Sequence, residues 1–362
     1  MKRRKPKGKT PTKKRWIQVG RVLVTLLVVL LLFFFQEEDS FVPIEEGSPP
    51  VLYSNQTHDD LRALFQKAIE GAEESIYLRI YSLTDEPIID ALNAQAKLGR
   101  KVEVIHDPKA SPEGFAKLSS DVRSTAVKLS GLMHQKILVI DGKKVLLGSA
   151  NLTKESLKLH DNLVLGMESP LLASHLDEGQ YSFSLGGQEI EYWNLPKQGK
   201  EGLEVLIKLV EATATSLNVA MYTWTHPDLT EAVIRAHKRG VKVAILLDQG
   251  QATGVGKKAL TRLLAEGVPV KLSEGTKLFH HKMAWIDGNL LVCGSTNWTK
   301  AAFTRNHDCF LVLHDLQEPQ KEKLQTLWRH AWILSHTQEL AAFGKRPEVV
   351  IDMLLETIDL AA

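Results

Sequence analysis

Two histidine–lysine pairs carry the side chains of this sequence that are best suited to nucleophilic and acid–base chemistry. His134 precedes Lys136 by two residues, and His280 precedes Lys282 by the same spacing. Because residues two apart in an extended strand point to the same face, each pair presents an imidazole beside an ammonium group. His281 lies between His280 and Lys282 and therefore points to the opposite face. A neutral imidazole can attack an electrophile or accept a proton, and an ammonium group stabilises developing negative charge. The spacing therefore predicts two strand-borne catalytic pairs.

Each pair belongs to a longer pattern that occurs twice. Residues 134–141 and 280–287 both fit His-x-Lys-x4-Asp, and the copies lie 146 residues apart. Asp141 and Asp287 complete the two copies and are included among the predicted catalytic residues. Each precedes a glycine, which is a hairpin-turn signal, so a turn-forming role far from the histidine is favoured for both carboxylates. One copy alone is a weak signal, whereas two copies in equivalent places are a strong one.

The surrounding sequence repeats one plan of helix, strand, helix and strand. The predicted elements are 59–72, 75–81, 86–98 and 101–105 in the first copy and 201–214, 216–222, 228–239 and 241–245 in the second. Three pairs recur at an offset of 141 positions, namely Tyr81 and Tyr222, Gly99 and Gly240, and Asp107 and Asp248. We interpret the tyrosines as core aromatics, the glycines as helix C-caps and the aspartates as turn residues. The alternation predicts an α/β fold of two similar α/β/α halves with mostly parallel sheets, at 51–185 and 186–345, before a C-terminal tail at 346–362.

The N-terminal segment has the composition of a membrane anchor. Residues 1–35 contain ten Lys or Arg and no Asp or Glu, and the stretch 16–35 is almost entirely apolar. Its length is roughly the 20 residues that cross a bilayer, and its basic flank favours a cytoplasmic N-terminus with the body on the far side. A cleaved signal peptide is the alternative, but no small-residue cleavage site follows. We therefore predict a single-pass anchor at 1–35 and a linker at 36–50.

The charge balance, the cysteine count and the spacing of potential metal ligands indicate which partners and cofactors to expect. Residues 36–362 carry 35 basic and 43 acidic residues, which disfavours a broad nucleic-acid surface. Cys293 and Cys309 are too few for a disulfide scaffold and are interpreted as buried thiols, with a single disulfide as the alternative. No Asp, Glu, His or Cys cluster has metal-ligand spacing, so we expect neither a metal nor another cofactor.

The duplicated motif resembles that of the phospholipase D superfamily, in which His-x-Lys-x4-Asp is followed by Gly-Ser-x-Asn. The resemblance covers about residues 51–340. It implies that the two halves pack about a pseudo-twofold axis and that both motifs form one site. It also implies metal-independent hydrolysis through a phosphohistidine, with His134 as the nucleophile and His280 as the acid/base. Lys136 and Lys282 would then bind the phosphate oxygens.

The same resemblance assigns a second set of polar residues. Gly-Ser-x-Asn-x-Thr begins fourteen residues after each histidine, and its matching side chains are Ser149, Asn151, Ser295 and Asn297. A carboxylate that orients a histidine often follows this block, and Asp308 occupies that position in the second copy. The first copy has Asn162 there instead. This departure makes the halves unequal, so the reverse assignment, with His280 as the nucleophile, stays open.

Three features favour a phospholipid substrate, which would be hydrolysed or transferred to another alcohol. They are the predicted anchor, the acidic body, and an apolar rim that Trp224, Trp285 and Trp298 could form, although a core position is favoured for Trp285. A membrane-anchored endonuclease of the same superfamily is the alternative. A catalytically inactive binding module is disfavoured, because no motif histidine or lysine is lost.

Overall fold

The computed structural model describes residues 41–128 and 130–337. A short 3-10 turn lies at Asn55–Thr57. The strands are β1 Val51–Tyr53, β2 Ser75–Ile80, β3 Lys101–His106, β4 Arg123–Ala126, β5 Ile137–Ile140, β6 Lys144–Gly148, β7 Val164–Glu168, β8 Gln180–Leu185, β9 Gln188–Leu195, β10 Ser216–Met221, β11 Lys242–Leu247, β12 Val270–Leu272, β13 Lys282–Ile286, β14 Leu290–Gly294, β15 Asp308–Leu313 and β16 His336–Thr337. The helices are α1 Leu61–Glu70, α2 Glu86–Lys97, α3 Pro112–Phe115, α4 Lys154–Lys158, α5 Pro170–His175, α6 Gly199–Ala212, α7 Pro227–Lys238, α8 Gln249–Thr253, α9 Lys257–Ala265, α10 Lys300–Thr304 and α11 Glu318–Leu334.

The repeated helix–strand plan of the sequence is present in both halves. Helix α1 begins where Asp60 caps it, since the side chain accepts a hydrogen bond from the Ala63 N–H at 3.0 Å. Its apolar positions recur at helical spacing and are buried against the first sheet. Gly99 and Gly240 follow α2 and α7 with φ of 85° and 92°, as expected for helix C-caps.

The strands form two sheets, one in each half. The first has the order β1-β7-β6-β5-β2-β3-β4, and the second has the order β16-β12-β11-β10-β13-β14-β15-β9-β8. The only parallel pairs in these two sheets, as far as the chain is described, join β2, β3 and β4 or β10, β11 and β12. The sheets are therefore mixed, and the expectation of mostly parallel sheets was wrong.

The motif hairpins explain this difference. Asp141 and Gly142 have φ of 51° and 63°, and Asp287 and Gly288 have φ of 50° and 68°. Positive φ at both central residues gives a tight turn that returns the strand antiparallel to its predecessor. Only the connections that pass through a helix leave room for a parallel neighbour.

The two halves share a hydrophobic core. One buried cluster contains Ile137 and Val139 from β5 of the first sheet together with Met283 and Trp285 from β13 of the second. The β8–β9 hairpin also pairs with β15 in the second sheet, so this sheet begins before the predicted boundary at residue 186. Because the core is continuous, the positions of the two motifs relative to each other are set by packing between the halves.

Some predicted features lie beyond the described residues. The predicted anchor at 1–35, the first five residues of the predicted linker and the C-terminal tail at 346–362 are among them. Between residues 41 and 337, leaving out 129, no helix combines the length and the apolarity needed to cross a membrane.

Candidate active site

Backbone hydrogen bonds between the halves bring the two motifs together. The His134 N–H donates to the His307 carbonyl at 2.8 Å, and the His280 N–H donates to the Asp161 carbonyl at 2.9 Å. Each bond joins the segment that leads into β5 or β13 to the segment that leads into a strand of the opposite half. The two contacts are reciprocal, because His134 and Asp161 each lie 146 positions before His280 and His307. Reciprocal contacts of this kind are expected from two halves related by an approximate twofold axis.

Each histidine is held by a polar side chain from the opposite half. The His134 Nδ1 lies 2.7 Å from the Asp308 Oδ1, which also accepts the Ser295 hydroxyl at 2.7 Å. The His280 Nδ1 lies 3.0 Å from the Asn162 Oδ1. The structure thus places Asp308 on His134 and leaves His280 with an uncharged partner.

These contacts define the tautomer of both imidazoles. The Ser149 hydroxyl donates to the Asn162 Oδ1 at 2.9 Å, while the Asn162 Nδ2 donates to the Ser156 carbonyl at 2.8 Å, which identifies the amide oxygen as the atom that faces His280. Carboxylate and amide oxygens accept hydrogen bonds, so Nδ1 of each neutral histidine must carry the proton. The Nε2 atom of each ring therefore keeps its lone pair available for attack or for proton transfer.

The two lysines are buried beside the histidines. The Lys136 Nζ donates to the His134 carbonyl at 2.6 Å, and the Lys282 Nζ donates to the His280 carbonyl at 2.9 Å. Burial lowers the pKa of Lys136 to about 7. Burial and the nearby Lys136 hold the pKa of Lys282 well below its ordinary value. Two ammonium groups so placed are unfavourable until an anion compensates them, which makes the site receptive to a phosphate group.

The histidine pKa values differ because their partners differ. Burial and Lys136 lower the pKa of His134, while the Asp308 carboxylate opposes them. Burial, Lys282 and Lys136 hold the pKa of His280 well below its ordinary value. Burial disfavours the charged form of Asp308, but His134 outweighs it, and the pKa of this carboxyl lies below its usual range. His134 is therefore the imidazole whose protonated or substituted form is compensated by a negative charge.

Tyr81 and Tyr222 line the site, contrary to their interpretation as core residues. Their rings lie edge-to-face with His134 and His280, at centroid distances of 5.3 Å and 4.7 Å. The Lys136 ammonium lies 5.2 Å from the Tyr81 ring centroid. Both tyrosines are partly exposed. The common offset of 141 residues marked them as equivalent, but the sequence carried no signal that their strands end at the catalytic pairs.

Asp141 and Asp287 are not brought into the site. Asp141 accepts the Glu74 and Ser75 N–H groups at 2.7 Å and 2.9 Å. Asp287 accepts the Thr215 and Ser216 N–H groups in the same way, at 2.7 Å and 2.9 Å. Seven residues of extended chain separate each aspartate from its motif histidine, or roughly 20 Å. This geometry matches the favoured turn role, and their inclusion among the catalytic residues receives no support from it.

The asparagines of the two Gly-Ser-x-Asn-x-Thr blocks form hydrogen bonds with neighbouring segments. The Asn297 Oδ1 accepts the Thr223 N–H at 3.2 Å, and the Asn151 N–H donates to Ser156 Oγ at 2.9 Å. The Oδ1 of Asn151 is buried and has no hydrogen-bond partner within the described chain. Such an atom is available to a hydrogen-bond donor that enters with the substrate or with water.

Asp107 and Asp248 support the segments that lead into the motifs. Their Oδ2 atoms accept the N–H groups of Met133 and Phe279 at 3.1 Å and 3.0 Å. The expected turn role of both aspartates therefore extends to holding the residue immediately before each catalytic histidine.

The predicted tryptophan rim was wrong. Trp224, Trp285 and Trp298 are 2%, 8% and 2% exposed. Trp224 and Trp298 pack on each other with ring centroids 4.5 Å apart. Both follow the ends of strands, β10 and β14, and belong to one buried hydrophobic cluster. Cys293 and Cys309 are buried free thiols, as the favoured interpretation held.

Comparisons with known proteins show which family and which proteins this chain is similar to. Residues 65–179 and 206–332 match the protein family described as "Cardiolipin synthase, PLD-like domain". A mitochondrial cardiolipin hydrolase of Chlamydomonas reinhardtii is 34% identical over 143 residues, which are 39% of this chain and 62% of that protein. A phospholipase D of Rickettsia conorii is 37% identical over 114 residues, which are 30% of this chain and 56% of that protein. The chain thus spans about 60% of the length of these two relatives.

A solved structure extends the comparison to nearly the whole body. The crystal structure of phosphatidylserine synthase from Haemophilus influenzae has a TM-score of 0.66 and 14% identity, and the match covers 88% of this chain and 94% of that one. At this identity the match shows a common fold.

Proposed function

The chain belongs to the phospholipase D superfamily, and from this premise we propose that it is a metal-independent phosphodiesterase acting on phospholipids through a phosphohistidine. The single observation that carries the proposal is the contact of each motif histidine with a polar partner from the opposite half, Asp308 or Asn162. The predicted nucleophile and the predicted acid/base are thereby held at one interface, which covalent catalysis requires.

In the first step, the Nε2 lone pair of His134 attacks phosphorus and the bond from phosphorus to the leaving alkoxide breaks. His280, protonated on Nε2, gives this proton to the leaving oxygen. The phosphorylated imidazole keeps its Nδ1–H and a positive charge, which the Asp308 carboxylate stabilises at 2.7 Å. Lys136 and Lys282 bind the non-bridging oxygens and stabilise the charge of the transferring group.

In the second step, His280 accepts a proton from water as the water oxygen attacks phosphorus. The bond from phosphorus to the His134 Nε2 breaks, and the phosphomonoester leaves with its new oxygen. His280 is again protonated and His134 is again neutral, so the cycle closes without any other reactant. An alcohol in place of water would transfer the phosphatidyl group.

The unequal partners of the histidines support the assignment of roles. A nucleophile that becomes positively charged benefits from a carboxylate, and Asp308 contacts His134. An acid must release its proton readily, and burial and Lys282 hold the pKa of His280 well below its ordinary value, with no carboxylate partner to oppose them. The opposite assignment would place the charged intermediate beside the uncharged amide of Asn162.

The substrate class rests on separate support. The relatives named above are a cardiolipin hydrolase and a phospholipase D. The acidic body, with 35 basic and 43 acidic residues after residue 35, weakens attraction to a nucleic-acid backbone. The predicted anchor at 1–35 would hold the site near a bilayer. We therefore favour a phospholipid over a nucleic acid.

A side-by-side assay tests this proposal. Full-length protein in nonionic detergent would be given phosphatidylcholine, cardiolipin or single-stranded DNA, with the His134→Asn variant as the matched inactive control. We expect release of a phosphatidic acid or of a free head group from one of the lipids by the wild type alone. Cleavage of DNA without cleavage of either lipid would overturn the substrate class and leave the phosphodiesterase mechanism in place.

A further inference from the structure

Two leucines at equivalent positions flank the entrance to the catalytic pairs. Leu132 and Leu278 each lie two residues before a motif histidine, 146 residues apart. Their side chains are 41% and 36% exposed, although their neighbours Met133 and Phe279 are only 2% exposed. A single exposed leucine is ordinary on a protein surface, whereas this pair recurs at the same place in both copies of the repeat.

Main-chain hydrogen bonds fix the position of the segments that carry these leucines. The Leu132 carbonyl accepts the His307 N–H at 2.8 Å, and the Leu278 carbonyl accepts the Asp161 N–H at 3.0 Å. Both bonds join the two halves. The same two residues, His307 and Asp161, also accept the N–H groups of the catalytic histidines. Leu159 lies two residues before Asp161, whose N–H pairs with the Leu278 carbonyl. Leu159 is 57% exposed, so the segment beside Leu278 carries a third exposed apolar side chain.

Basic residues accompany the same segments. Lys277 precedes Leu278, and its Nζ lies 2.5 Å from the Asp161 carboxylate while its side chain stays 44% exposed. Arg305 lies two residues before His307, the residue that pairs with Leu132, and is exposed. Apolar side chains beside cations match the boundary between acyl chains and anionic head groups.

We propose that Leu132, Leu278 and Leu159, with Lys277 and Arg305, form a docking rim that inserts into an anionic phospholipid bilayer. This inference rests on the proposed function, since it supplies the route by which a lipid reaches the site. The motif histidines are 7% and 5% exposed, so a phosphodiester in a bilayer must either leave the membrane or meet the entrance at its surface. Insertion of the rim brings the entrance to head-group depth.

Insertion is measurable without reference to activity. Leu132→Cys would be labelled with a dye whose emission depends on polarity, which is selective because Cys293 and Cys309 are buried. Leu98→Cys is the matched control, because Leu98 is 66% exposed at the opposite end of the parallel strands. In full-length protein reconstituted into vesicles with phosphatidylglycerol, we expect a blue-shifted emission from position 132 and a water-like emission from position 98. Equal, water-like emission from both positions would overturn the proposal.

Activity provides the second measurement. The double variant Leu132→Ser/Leu278→Ser should lower kcat/KM on vesicle phospholipid about 25-fold, or roughly fivefold for each leucine, since each loses the burial of about two-fifths of a side chain. Leu98→Ser should leave it unchanged. On a soluble chromogenic phosphodiester the double variant should keep wild-type kcat/KM, because no catalytic group is altered. If the dye reports insertion but no lipid is cleaved, the docking rim stands and the lipid-hydrolase proposal fails; an equal loss on both substrates would overturn the rim.

Discussion

The charge on Asp308 is the feature whose removal tests the mechanism most directly. The Asp308→Asn variant would keep the shape of the side chain and an oxygen that can accept from His134 and from the Ser295 hydroxyl. The chain itself shows that asparagine fits this geometry, because Asn162 accepts from His280 and Ser149 at 3.0 Å and 2.9 Å. The other carboxylate oxygen, Oδ2, is buried with no partner in the described residues, so an amide nitrogen there breaks no hydrogen bond.

The expected loss follows from the strength of a charged hydrogen bond. A hydrogen bond to a charged group contributes about 2 to 3 kcal/mol, and Asp308 makes this bond to the phosphorylated form of His134 at 2.7 Å. Asparagine keeps a neutral hydrogen bond of about 1 kcal/mol, so the net loss is about 1 to 2 kcal/mol. Since about 1.4 kcal/mol corresponds to a tenfold change in rate, kcat/KM should fall roughly 5- to 30-fold. The charge matters more to the intermediate than to the neutral imidazole, so the effect is mainly on kcat.

The pH profile separates this role from a structural one. Burial and Lys136 lower the pKa of His134, while Asp308 raises it. Without the carboxylate the His134 pKa falls further, and the nucleophile stays neutral at more acidic pH. The acid limb of kcat/KM should therefore move to lower pH even as the plateau falls.

The assay uses a soluble chromogenic phosphodiester from pH 4.5 to 9, with thermal unfolding as a check on folding. Asn162→Asp is the reciprocal variant, and it should raise the His280 pKa and move the basic limb to higher pH. A kcat/KM for Asp308→Asn within threefold of the wild type, with an unmoved acid limb, would refute the argument that this charge stabilises the nucleophile.

Four further predictions concern the two motif histidines, the independence from metal, Asp141 and the N-terminal segment. With a good leaving group, His280→Asn should still phosphorylate His134 and then stall, leaving a phosphohistidine visible by intact mass, whereas His134→Asn should form none; a trap in His134→Asn would reverse the two roles. Activity should persist in excess EDTA, and loss that a divalent ion restores would contradict the mechanism. Asp141→Ala should lower the free energy of unfolding by about 1 kcal/mol, because the backbone N–H groups of Glu74 and Ser75 lose their carboxylate acceptor, while kcat/KM stays within about twofold; a hundredfold loss of activity in folded protein would return this residue to the site. Protease added to cells stripped of any outer barrier should digest the body, and protection of the body with an accessible N-terminus would show that the predicted topology of residues 1–35 is wrong.

The sequence by itself determined the local elements and the chemistry of the motifs. Helix and strand periodicity, capping residues and Asp-Gly turns act over a few residues, so α1, β2 and the motif hairpins could be predicted closely. The duplicated spacing identified His134, Lys136 and their equivalents for the same reason. Each signal is contained in a short stretch of chain.

Only the tertiary structure decided which groups meet at the site. Asp308 contacts His134 across 174 positions and Asn162 contacts His280 across 118, and the sequence could suggest an orienting role without telling which histidine each would hold. The same packing buried Trp224 and Trp298, brought Tyr81 into the site and added β8 to the second sheet. Contacts of this kind depend on how two continuous surfaces fit together, and no local pattern of residues specifies that fit.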